Sequence, residues 1–246
     1  MKSLFQLKRL ALKDYFGLQP KGLAFAFCKS LDNTPGKTFL DFGCRNGDFI
    51  GMLSKQLKQH FFIGIDLDKD SLKQAESNYK DFNIKWVNTK KGCRLPVENS
   101  SVDVVTMIGV LEHISDKKSA LMEINRVLKP DGIAYIHVPG KHLFSFLDMG
   151  NFKFIFPNLH KFYYVRKYGS EKYDYKYRNN PFGLVGDIEK ELSWHDHFSY
   201  KQFSEISSHT NFRIVANGGM GFFNRIFINL KYFLPSFLKI LINQLI

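Results

Sequence analysis

Short apolar runs alternate with amphipathic stretches through the first part of the chain, and the rhythm breaks off after Pro139. The runs at 38–42, 61–66, 84–88 and 102–108 have the length and composition of strands, and 133–138 makes a fifth. Between them, 48–60 and 70–79 carry apolar residues at helical spacing, and another helix ends over 123–128, before the turn Lys129-Pro-Asp-Gly132. The run 102–108 is apolar on both sides, as a strand covered by helices on both faces must be. This alternation predicts a Rossmann-like α/β fold, doubly wound around a mostly parallel sheet. Residues 4–26, broken at 17–20, predict two short helices ahead of the sheet. The stretch 140–198 is a long insertion of the kind that forms a lid or binding surface, after which 200–209 predicts a helix and 212–216 a strand.

The final stretch, 222–246, is different again: phenylalanine, leucine and isoleucine predominate, Arg225, Lys231 and Lys239 are its charges, and Pro235 divides it. On a helix, Lys239 and Asn243 share a face opposite Phe237, Leu238, Leu241 and Leu245. Such a hydrophobic tail fits an acidic membrane surface, the domain itself, or a second subunit in a homodimer. The expected organisation is one domain over 1–246: N-terminal helices in 1–36, a core in 37–139, the insertion in 140–198, the end of the core in 199–221 and the tail in 222–246.

Charge narrows the partners. A net charge of +12 and a pI near 9.5 point to something anionic: a phosphorylated substrate, a nucleic acid or an acidic membrane. The insertion mixes Phe152, Phe154, Phe156, Phe162 and six tyrosines with Lys161, Arg166, Lys167, Lys172, Lys176 and Arg178, which suits a flat or phosphorylated ligand. Cys28, Cys44 and Cys93 are scattered, so neither a disulfide framework nor a structural zinc site is indicated. The amino terminus intersperses charge with leucine and lacks the apolar run of a secretory signal; a cytoplasmic location, peripheral at the inner membrane face if the tail meets lipid, is the expectation.

The strongest chemical signal is Phe39-Leu-Asp-Phe-Gly-Cys-Arg-Asn-Gly47, a strand running into a glycine turn. Asp66 closes the next apolar run, where an acceptor for ribose hydroxyls stands about 20 residues on in nucleotide-binding folds. Further blocks follow in order: Leu95-Pro-Val-Glu-Asn-Ser-Ser-Val-Asp103, Gly109-Val-Leu-Glu-His-Ile114 and Leu128-Lys-Pro-Asp-Gly-Ile133. Together they resemble the class I methyltransferases that use S-adenosylmethionine, with Arg45 where the family's middle glycine usually stands. The resemblance implies S-adenosylmethionine as cofactor, with Asp41, Gly43 and Gly47 at its methionine end, Asp66 and Leu67 at the ribose and Gly109 beside the sulfonium. Lys90-Lys-Gly-Cys-Arg94 occupies the place of the acid that many relatives offer to the adenine amine, leaving backbone near Gly92 for that contact.

Methyl transfer to a hydroxyl needs a base, and histidine is the natural one. His197, in Trp194-His-Asp-His-Phe198, is the candidate base, with His195 or His113 positioning the acceptor. His195 and His197 project to one side of an extended chain, but two ligands without a third do not make a metal site. His60 and His209 lie near helix ends and read as surface residues. The expected reaction is O-methylation of a small-molecule, glycan or lipid-linked acceptor. RNA methylation and a non-catalytic cofactor-binding scaffold are the alternatives; the former lacks an Asn-Pro-Pro-Tyr-type motif and paired catalytic cysteines, so a nucleic-acid partner is not expected.

Overall fold

Five strands, Thr38–Phe42 (β1), Phe61–Asp66 (β2), Ile84–Asn88 (β3), Val102–Ile108 (β4) and Leu128–His137 (β5), form one parallel sheet in the order β3-β2-β1-β4-β5. The computed structural model describes residues 19–90, 92, 94–141, 155–174 and 196–218. The crossovers carry the helices Pro20–Ser30 (α1, ahead of the sheet), Asp48–Gln56 (α2), Lys69–Asn78 (α3) and Lys117–Val127 (α4). The expected parallel α/β architecture is thus present, and four of the five strands have the predicted limits.

Local chemistry explains the starts and stops. Pro20 opens α1, where its missing N–H costs nothing. Asp68 caps α3 by accepting the Asp70 N–H at 3.0 Å, and Asp116 caps α4 by accepting that of Ser119 at 2.9 Å. The buried faces of α1 and α2 supply Ala24, Phe25, Cys28, Ile50 and Leu53 to a core that meets Phe39, Phe62 and Val104 of the sheet. Leu53 is fully buried, and its truncation to alanine is of the type that costs about 2–5 kcal/mol.

Three expectations need correction. Lys129–Gly132, predicted as a free turn before β5, lies inside it: Val102 pairs with Leu128 and Val104 with Ile133, so the intervening residues bulge from the ladder. No strand forms at 212–216; an alternating run becomes a strand only where a neighbour offers a ladder, and Val215 is instead 48% exposed. His60 is not a surface residue. It is buried, its Nδ1 accepts the Lys37 N–H at 3.2 Å and its Nε2 lies 3.0 Å from Asp32 Oδ1, tying the entrances of β1 and β2 together.

The chain divides into two compact units, Met1–Pro139 with Tyr200–Arg213, and Gly140–Ser199 with Ile214–Ile246. The first holds the sheet and the helix Tyr200–Ser208 (α7), which touches α4. The second contains the helices Pro157–Tyr168 (α5) and Ser170–Tyr173 (α6) and a bridge between Gly140 and Phe198, where the Lys141 N–H donates to the Phe198 carbonyl at 2.8 Å. The predicted helix ahead of residue 17, most of the aromatic insertion including Phe152 and Phe154, and the tail 222–246 lie outside the described residues.

Candidate functional site

β1 and β4 are neighbours in space but are separated in sequence by β2 and β3, so the strand order reverses between them. Ligands of open α/β sheets bind at that seam, outside the carboxyl ends of the strands. The turn leaving β1 is fixed there: the Gly43 and Cys44 N–H groups both donate to the Ile65 carbonyl, at 2.8 and 3.0 Å. Gly43, Arg45 and Gly47 take φ of 82°, 50° and 76°. A Cβ at Gly43 would come within 2.4 Å of Val110 Cγ2, and one at Gly47 within 2.5 Å of Trp86 Cη2. Both glycines therefore answer to packing as well as to backbone conformation. Arg45 holds the left-handed conformation that the family's glycine would take freely, and it is exposed.

Asp66 sits across this turn at the end of β2. Its Oδ2 accepts the Arg45 N–H at 2.6 Å and its Oδ1 that of Asp68 at 2.9 Å. Burial nevertheless raises its pKa above the ordinary carboxylate value, with Asp68 adding to the rise and the two N–H donors opposing it. Asn88, the register partner of Asp66 on β3, donates Nδ2 to the Asp66 and Leu67 carbonyls at 3.2 and 3.0 Å, holding the acid-bearing loop. Sequence reasoning passed over Asn88. Its place at the end of β3, level with Asp66, becomes a signal only once the strands are in register.

Asp41 is 4% exposed, and Thr106, its partner across β1 and β4, donates Oγ1 to it at 2.7 Å. Burial pushes the Asp41 carboxyl up to about 7; the Thr106 hydroxyl and the Lys21 charge pull it down, and Asp66 pushes it further up. Two carboxyls with raised pKa values therefore share this edge. Gly109, with φ of 68°, follows β4 and donates its N–H to the His137 carbonyl at 3.1 Å. His113 and Glu112 follow in the 3-10 turn Leu111–His113, both buried. Gly92, exposed and with φ of 67°, lies in the segment after β3. The Leu95-Pro pair is anchored by Arg126, whose guanidinium donates to the carbonyls of Leu95 and Val97 at 3.1 and 2.9 Å while Glu123 accepts the Leu95 N–H at 2.6 Å.

Asp41, Gly43, Gly47, Asp66, Leu67, Gly109 and His113 thus gather at one edge of the sheet. His197 belongs to the second unit, half-buried and next to Phe198, and His195 lies outside the described residues.

Residues 40–136 match the family model described as "Methyltransferase domain". A demethylmenaquinone methyltransferase of Lactobacillus johnsonii is 32% identical over 61% of this chain and 62% of its own. A probable S-adenosylmethionine-dependent methyltransferase of Mycolicibacterium smegmatis is 30% identical over 45% of this chain and 41% of its own. The solved YcgJ protein of Bacillus subtilis shares the fold at a TM-score of 0.50 and 18% identity, over 78% of this chain and 67% of that one. The chain spans from 30% to 62% of the length of the first curated relatives it matches. Residues 40–136 thus carry the methyltransferase domain that the family model describes.

Proposed function

We propose that this chain, through that domain, transfers the methyl group of S-adenosylmethionine to an oxygen of a small-molecule, glycan or lipid-linked acceptor. The observation that carries the proposal is the pair of carboxyls with raised pKa values, buried Asp41 and half-buried Asp66, on adjacent strands beside a left-handed turn pinned to β2 at the Ile65 carbonyl and Asp66. Burial raises both pKa values against the opposing charges of Lys21 and Arg45, so a ligand bearing positive charge and hydroxyl donors would favour the ionised carboxylates. Asp66, with Leu67, accepts the ribose hydroxyls. Asp41 and Gly43 hold the methionine end, whose carboxylate meets the helix start after Gly47. Gly109 borders the sulfonium, and backbone near Gly92 meets the adenine.

The sulfonium supplies a methyl group already bonded to a good leaving group. What remains for the chain is alignment of the acceptor and, for a hydroxyl, custody of its proton. His197 is the proposed base, with His195 or His113 positioning the acceptor; their residue type supports the roles. The name of the Lactobacillus johnsonii relative favours a small-molecule acceptor, and the net charge of +12 favours an anionic one.

The test pairs calorimetric titration of S-adenosylmethionine with transfer of its labelled methyl group into small-molecule, lipid, glycan and RNA fractions. Label in one of the first three, resistant to mild alkali as an ether is, is the expected result. Label in RNA would instead establish the nucleic-acid reading. Tight cofactor binding without transfer to any fraction would make the chain a scaffold.

A further inference from the structure

Helix α5 of the second unit is apolar on two sides, and among the described residues only one is covered. On the covered side Tyr164 is 9% exposed, its ring 4.7 Å from Tyr168, 5.9 Å from Tyr173 and 5.9 Å from His160. On the other, Phe156, Leu159 and Phe162 are 48%, 54% and 65% exposed. A spacing of three places them along one stripe, and Arg166, four residues beyond Phe162, continues it. Lys161, Phe162, Val165 and Arg166 line a shallow concavity on this face. Arg166 is the cation of this stripe, Lys161 and Lys167 border it with their ammonium groups over the Tyr173 and Tyr168 rings, and no acid occurs in Pro157–Tyr168.

We infer that this face of α5 docks on an anionic lipid bilayer. Apolar side chains flanked by lysine and arginine match the acyl boundary below and the phosphates above, and each cation near an acidic surface adds attraction that an uncharged one would not provide. A second copy of the chain is a poorer occupant, because a two-fold contact through this face would bring two copies of the same cationic, acid-free helix together. The inference is independent of the methyl-transfer proposal, although it would bring a lipid-linked acceptor to the enzyme. It also assigns lipid contact to the insertion rather than to the hydrophobic tail.

The full-length protein is sedimented with vesicles of phosphatidylglycerol and phosphatidylcholine, and with phosphatidylcholine alone. Sedimentation with the acidic vesicles at low salt, weakening as salt rises, is expected. Leu159→Ser with Phe162→Ser should lower partitioning by roughly tenfold or more, as should Arg166→Glu with Lys167→Glu, while Arg166→Lys retains it. Cofactor affinity should stay unchanged in every variant, which separates this test from that of the catalytic proposal. As a second measurement, Phe162→Trp should be quenched by brominated acyl chains in acidic vesicles. The inference is overturned if the protein stays in the supernatant, binds both vesicle types equally, or sediments unchanged with the serine variant. A dimer that dissociates on Phe162→Ser without lipid binding would overturn it in favour of self-association.

Discussion

The two edges of the sheet treat their carboxylates in opposite ways. At the amino edge, Asp103 of β4 accepts the Lys129 ammonium at 2.7 Å and the Thr38 N–H at 2.8 Å; burial raises its pKa, but these partners outweigh burial and hold it below the usual range. At the carboxyl edge, Asp41 and Asp66 are raised, chiefly by burial, and no ammonium is bonded to either among their described contacts. One edge matches charge with charge; at the other, burial disfavours the ionised form of both carboxyls. A protein that keeps such an arrangement is storing interaction for a ligand. A cleft at the amino edge, lined by Lys37, Asp103 and Lys129 among others, lacks this imbalance and is not read as the site.

The largest expected effect tests whether chemistry and binding separate. His197→Ala should lower turnover by about 10²- to 10⁴-fold with cofactor affinity near normal. Unchanged turnover would move the base to His113, and the same assay on His113→Gln would show it; lost cofactor binding would make His197 structural.

Next is the pH dependence of Asp41. Its folded pKa, about 7, lies above the ordinary value of 3.8, so its contribution to stability is present at low pH and is lost as pH rises through about 7. Asp41→Asn should remove that loss, making the variant more stable than the parent at pH 8 by up to about 4 kcal/mol, with little difference near pH 4. Denaturant titrations across pH measure this. If a cationic ligand is held beside Asp41, binding near pH 7 should release protons, read as a dependence of calorimetric heat on buffer ionisation; no release would place the cation elsewhere.

Asp66→Ala should cost about 1–3 kcal/mol of S-adenosylmethionine binding, since two ribose hydroxyls lose their acceptor. Asn88→Ala, which loosens the loop without touching the proposed ligand contacts, should weaken binding by only about 1 kcal/mol. Equal losses would mean that Asp66 acts through the loop. The smallest effect is expected at the amino edge. Asp103→Ala should lower stability by about 1 kcal/mol at neutral pH, because the pair is partly solvated. The depressed pKa means this contribution is present above the ordinary carboxylate value and vanishes as pH falls through the folded one.

Much of the first unit was legible in the order of its residues. β1 to β4 follow from apolar runs bounded by polar residues, and the turn at Gly43 and Gly47 from a local steric demand that glycine meets most cheaply. Arg45 shows the limit of that reading: a motif written in residue types misses that an arginine holds the same φ. His60 shows another. A histidine at a helix end looks solvent-facing until the strand entrances close around it.

The sequence by itself determined what depends on neighbours within a few residues: strand and helix periodicity, caps at Asp68 and Asp116, the left-handed turn, and the family blocks in their order. Tertiary structure alone decided the pairings that set the chemistry. Thr106 meets Asp41 across 65 positions of sequence, Asn88 grips the backbone beside Asp66 across 22, and Asp103 finds Lys129 across a bulge. It also decided which side of α5 is covered, since both sides are apolar and only packing distinguishes them. The reason is physical: backbone conformation is governed by local sterics, whereas burial, and with it every raised or lowered pKa, is a property of what the folded chain brings alongside.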